Sequence, residues 1–111
     1  MSEFIRVAYV EEIPVGTSKL VQLKGKGIAI FNINGSFHAI DNDCTHVGGP
    51  LCEGELDGVE VTCPWHAAVF DVTSGAALNP PAMQPVTHYN VRLQGADVEI
   101  EFSPMDLGNV F

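Results

Sequence analysis

Cations are scarce in this chain of 111 residues: five Lys plus Arg stand against fourteen Asp plus Glu, a formal charge of −9. Such a field repels phosphate backbones and anionic lipid, so nucleic acid and membrane surfaces are disfavoured as partners. A protein with a basic face is favoured instead, because complementary charge steers encounters. No apolar stretch approaches the ~18 residues that read as a membrane span. The opening MSEFIRVAYVEEIPVG has no basic start followed by an apolar run, so no secretory signal is expected and the location reads as cytoplasmic. Cysteine is sparse and odd in number, at three. A reducing compartment disfavours disulfides, which leaves metal binding as the sharper use of those thiols. Internal repeats, low-complexity tracts and any capped stripe of helical period are also missing.

What is present is alternation. DVEIEF puts Val98, Ile100 and Phe102 on one face, and YNVRLQ does the same for Tyr89, Val91 and Leu93. GIAIFNI and SFHAID flank Asn34-Gly35, a dipeptide that supplies the positive φ of a two-residue hairpin turn. Asp57-Gly58 stands similarly before VEVTC. With 46% hydrophobic and 17% charged residues the chain is an ordered globule. The pattern predicts an all-β fold, an antiparallel β-sandwich or barrel. The length prior predicts a single domain over residues 1–111. Residues 42–56 and 72–85 are rich in Gly, Pro and small polar residues and read as long loops hung on one end of the sheet.

Those loops carry the chemistry. Cys44 and His46 form C-x-H, and Cys63 and His66 form C-x2-H, with sixteen residues between the pairs. Three chemistries compete for two Cys and two His. A nucleophile with its base needs one of each and leaves the second pair idle. A structural zinc ion accepts Cys2His2, but the usual finger groups two Cys and then two His on a helix. A [2Fe–2S] cluster with two Cys on one iron and two His on the other asks for mixed pairs from two loops, which is the arrangement here.

CTH followed by CPWH, together with GGPL, FDVTSG and the proline-bearing loop after it, resembles the Rieske iron–sulfur proteins, and most closely the soluble Rieske-type ferredoxins. The resemblance covers essentially the whole chain, making it a Rieske domain with its two cluster-binding loops, within about 42–85, inserted in the β scaffold. It implies Cys44 and Cys63 on a buried iron and His46 and His66 on an outer iron, near solvent. Replacing two thiolates by neutral imidazoles makes the oxidised centre formally neutral, which eases the addition of an electron. Val47, Leu51 and Trp65 would screen the cluster, and Pro80 and Pro81 would cover it from a third loop. Respiratory relatives carry a disulfide where Gly49 and Trp65 stand here, and hydroxyl donors where Ala68 and Phe70 stand. Missing donors leave charge on the sulfurs and lower the potential within a Rieske range of about −150 to +300 mV. Ala67 replaces a usual glycine. Cys52 reads as a packed thiol, and His38 and His88 as surface or edge residues of strands.

The resemblance implies a one-electron carrier, not itself an enzyme, that takes electrons from a reductase and passes them to a terminal oxygenase, and that works as a monomer. An oxygenase large subunit is excluded, since only two histidines stand outside the motif and no second domain fits. The small Rieske-like subunit of an assimilatory nitrite reductase is the alternative within electron transfer. A zinc-stabilised interaction module is the alternative of another class.

Overall fold

The computed structural model describes residues 3–23, 25–42, 51–64, 68–78 and 85–102. Ten strands occur among them: β1 Glu3–Tyr9, β2 Ser18–Leu23, β3 Lys26–Ile33, β4 Ser36–Asp41, β5 Glu55–Asp57, β6 Glu60–Thr62, β7 Val69–Asp71, β8 His88–Tyr89, β9 Val91–Gln94 and β10 Asp97–Phe102. The described helical turns are two 3-10 segments, Val10–Glu12 and Leu51–Glu53. The strands form three antiparallel sheets in the orders β1-β10-β9, β2-β3-β4-β8 and β5-β6-β7. The all-β expectation holds.

The sheet β2-β3-β4-β8 lies in the middle and is buried on both faces. Ile28 and Ile30 of β3 join Ala8, Ile13, Val21, Ala39, Tyr89, Val98 and Ile100 in one core, against the β1-β10-β9 sheet. Ala29 and Phe31, pointing the other way, join Leu51, Val61, Cys63, Ala68, Phe70, Val72 and Val86 in a second core, against the β5-β6-β7 sheet. A strand covered on both sides reads as a continuous apolar run, which is why GIAIFNI lacks alternation. Asn32 is the buried exception within β3. Its Nδ2 donates to the Ile13 carbonyl at 2.7 Å and its Oδ1 accepts the Gly35 amide at 2.8 Å, so the desolvated amide is satisfied.

Turn chemistry sets the registers. Asn34 (φ 54°) and Gly35 (φ 93°) form the two-residue turn between β3 and β4, with Ile33 opposite Ser36. The second hairpin is shifted by one residue from expectation. Asp57 pairs with Glu60, so the turn residues are Gly58 and Val59, with Gly58 at φ 61° in the first position. A turn with glycine first is the type II′ solution, and it takes Val59 out of the strand.

YNVRLQ also departs from a single strand. Tyr89 pairs with Ala39 in the middle sheet, whereas Val91 pairs with Ile100 in the outer one. Asn90 is the switch: its carbonyl accepts the Glu101 amide at 2.9 Å and its Nδ2 donates to Glu101 Oε1 at 2.9 Å. Leu93, opposite Val98 on the edge strand β9, is 44% exposed. The stretch 42–56 is shorter as a loop than expected, because β5 already begins at Glu55.

Candidate cluster-binding site

Two connections leave the same core from its end nearest β4 and β6. The first departs after Asn42 and returns at Leu51, and the two are joined by the Leu51 amide donating to the Asn42 carbonyl at 2.8 Å. The second departs at Cys63 and returns at Ala68, joined by the Cys63 amide donating to the Ala68 carbonyl at 2.7 Å. Leu51, Cys63 and Ala68 all belong to one buried cluster. Three of the four residues at the two loop bases thus share one buried core.

Of the four candidate ligands, Cys63 falls within the described residues. It is 1% exposed, between β6 and the start of the second loop. Cys44, His46 and His66 lie outside the described residues, as do Val47, Gly49, Trp65, Ala67, Pro80 and Pro81. A buried thiol at a loop base is a soft donor shielded from water, which suits an inner iron. Leu51 and Phe70 are fully buried in the same core, consistent with a dry inner side. Ala68 and Phe70 offer no hydroxyl there.

The remaining candidates stand elsewhere. Cys52 is half-buried in the second 3-10 turn; burial foremost, then the neighbouring Glu53 charge, push its thiol above its ordinary value of 9.0. His38 is half-buried on β4, next to the Ala39–Tyr89 and Ile40–His88 pairs that join β4 to β8. His88 is half-buried on the edge strand β8, opposite Ile40, which puts it on the same sheet face as His38. Burial holds the His88 imidazole below its ordinary range, a charged His38 adds to this, and Asp71 opposes it. Asp71 is itself held low, chiefly by hydrogen bonds from Thr73. Among the described residues no three His, Cys, Asp or Glu side chains gather to hold a metal ion. A recess of about 180 Å³ lined by Val15, Gly16, Ile33, Asn34, Leu56 and Gly58 lies at the β3–β4 and β5–β6 turns, the ends opposite the two loops.

Among the described residues, the β scaffold brings Leu51, Cys63 and Ala68, at the bases of the two motif-bearing connections, into one buried core. The Rieske [2Fe-2S] domain family matches residues 3–90, and the chain belongs to that family. The chain is 39% identical over 92 residues to the ferredoxin component of the naphthalene 1,2-dioxygenase system of Pseudomonas aeruginosa, covering 83% of this chain and 88% of the relative. Its fold matches the Sphingomonas yanoikuyae B1 ferredoxin with a TM-score of 0.85 at 31% identity, over 91% of this chain and all of that one. It also matches a chain in the complex of reduced oxygenase and oxidized ferredoxin in carbazole 1,9a-dioxygenase, with a TM-score of 0.82 at 28% identity, over 87% and 91%. No helix among the described residues is long and apolar enough to cross a membrane.

Proposed function

We propose that this chain is a one-electron carrier ferredoxin of a dioxygenase system, built as a single domain around a Rieske [2Fe–2S] cluster. Cys44 and Cys63 hold the inner iron, and His46 and His66 hold the outer one. The observation that carries the reading is the pair of loop bases, Asn42–Leu51 and Cys63–Ala68, with Leu51, Cys63 and Ala68 in one core. The cluster supplies reversible one-electron chemistry. Cys63 would meet the cluster over a dry floor, and the two neutral imidazole ligands would ease the addition of the electron. A carrier needs no substrate pocket, and the chain acts as a component of a multicomponent system with no turnover of its own.

The partners we propose are a reductase that donates the electron and a terminal oxygenase that accepts it, each meeting a monomer of this chain in the cytoplasm. Glu53 of the second 3-10 turn and Glu55, Asp57 and Glu60 of β5 and β6 are exposed, and no Lys or Arg occurs between positions 27 and 91. Basic docking faces on both partners fit that distribution. Absorption and EPR spectra of the purified, reconstituted chain test the cofactor: two irons and two sulfides per chain with a reduced-state [2Fe–2S] signal are expected. Cys44→Ser and Cys63→Ser should each abolish the signal, and His46→Ala and His66→Ala should each lose or alter it. A colourless protein holding one zinc per chain would refute the assignment. Transfer rates to the oxygenase should fall as ionic strength rises, and rates indifferent to salt would refute the docking argument.

A further inference from the structure

The first loop is fastened by a side chain. Asn42 follows β4 directly, is 7% exposed, and makes bonds in three directions. Its amide donates to the Gly27 carbonyl at 3.0 Å, tying it to β3. Its carbonyl accepts the Leu51 amide at 2.8 Å, and its Oδ1 accepts the Cys52 amide, also at 2.8 Å. The Cys52 carbonyl is held in turn by Ser18 Oγ of β2 at 2.6 Å. The chain that leaves at residue 42 is therefore made to return against the same residue, and its exit is pinned to two strands of the middle sheet. The second loop is closed by a backbone pair, Cys63 to Ala68, that any residue pair can form. Of these closures, the one that uses an amide side chain frames Cys44 and His46.

We propose that Asn42 is a positioning residue for the cluster: its Oδ1 on the Cys52 amide sets how the first loop re-enters the core, and so where Cys44 and His46 stand relative to Cys63. The role rests on the ligand assignment proposed above. Metal–ligand distances tolerate only about ±0.2 Å, so a loop that gains freedom at its base presents its ligands in the correct place for a smaller fraction of the time. Neither Asn42 nor Cys52 need touch the cluster for this to hold. An aspartate at position 42 keeps the acceptor, whereas a leucine keeps the size and removes it.

The test compares Asn42→Leu and Asn42→Asp with the wild type, all reconstituted. Hydrogen exchange read by mass spectrometry over residues 51–53 reports the clamp, and the rate of colour loss under a chelator reports cluster retention. Asn42→Leu is expected to speed exchange at that segment at least tenfold and cluster loss at least fivefold. Asn42→Asp is expected to restore both to within twofold of wild type, a rescue that a role in packing volume alone would not give. Wild-type retention in Asn42→Leu, or loss in Asn42→Asp as fast as in Asn42→Leu, overturns the proposal. If Asn42→Leu does not fold, Asn42→Ala removes the acceptor without adding apolar bulk and carries the same outcomes. A wild-type chain that takes up no cluster overturns the ligand assignment and this role with it; a wild type that loads beside a Leu variant that retains equally overturns this role alone.

Discussion

Gly75 tests how the stretch that follows β7 is held. It lies buried after β7 at φ +83°, and its carbonyl accepts the Val86 amide at 2.9 Å. A Cβ built there would stand 2.2 Å from the Val86 carbonyl oxygen and 3.2 Å from its carbon. Both obstacles are backbone, so no side chain can rotate away. Gly75→Ala then carries two costs. The left-handed backbone costs about 1–2 kcal/mol for a residue with a Cβ. Parting the two segments breaks the Val86–Gly75 bond, worth about 0.5–1.5 kcal/mol and more if a buried group stays unsatisfied. The lower entropy of the unfolded alanine chain returns about 0.4–1 kcal/mol. The net is a loss of about 0.5–3 kcal/mol. Gly58→Ala is the control, because Gly58 has φ +61° with nothing within 4 Å of a built Cβ. It carries only the backbone cost, a net loss of about 0–1.6 kcal/mol. With about 4–8 °C of Tm per kcal/mol for a domain of this order, Gly75→Ala should melt well below Gly58→Ala in parallel thermal scans. Equal melting temperatures would show that the approach to Val86 does not constrain the segment, and the reasoning would fail.

The other expectations are shorter. Acidification should destabilise the chain in two steps. His88 has a lowered pKa, so its contribution is present above its ordinary 6.5 and is lost as pH falls below it; Asp71, also lowered, contributes above 3.8 and is lost beneath that. Thermal scans of wild type and His88→Gln should diverge through the first window only, and parallel curves there would refute the burial argument. Tyr89→Phe removes the bond from the buried phenol to Asp41 Oδ1 at 2.5 Å, leaving Asp41 its ion pair with Lys26 at 3.3 Å. A loss of about 1–3 kcal/mol by denaturant unfolding is expected, and no loss would mean that water replaces the phenol without cost. The wild-type potential should lie below about +150 mV within the Rieske range, and Ala68→Ser, which adds a hydroxyl at a buried loop-base position, should raise it in a redox titration. A lower value for the serine variant would contradict the donor argument.

Alternation in DVEIEF, the Asn34-Gly35 turn and the order C-x-H then C-x2-H are local facts, and each was readable without coordinates because it depends on neighbours within a few residues. Strand identity, the β3–β4 hairpin and the family followed from them. Other features depended on partners distant in the chain. Nothing in YNVRLQ says that Tyr89 pairs with β4 and Val91 with β10; competition between two sheets for one segment decides that at Asn90. Nothing near His38 says that its strand gains β8 as a second neighbour at Ala39 and Ile40. The position of the second turn was settled by pairing of Asp57 with Glu60, which left Gly58 to take the positive φ. Asn42 carried no motif at all, since its worth lies in bonds to Gly27, Leu51 and Cys52 that exist only once the loop has closed. Ligand types are a matter of side-chain chemistry and are written in the chain; which bonds hold their loops together is a matter of what folding brings within 3 Å, and tertiary structure alone decides it.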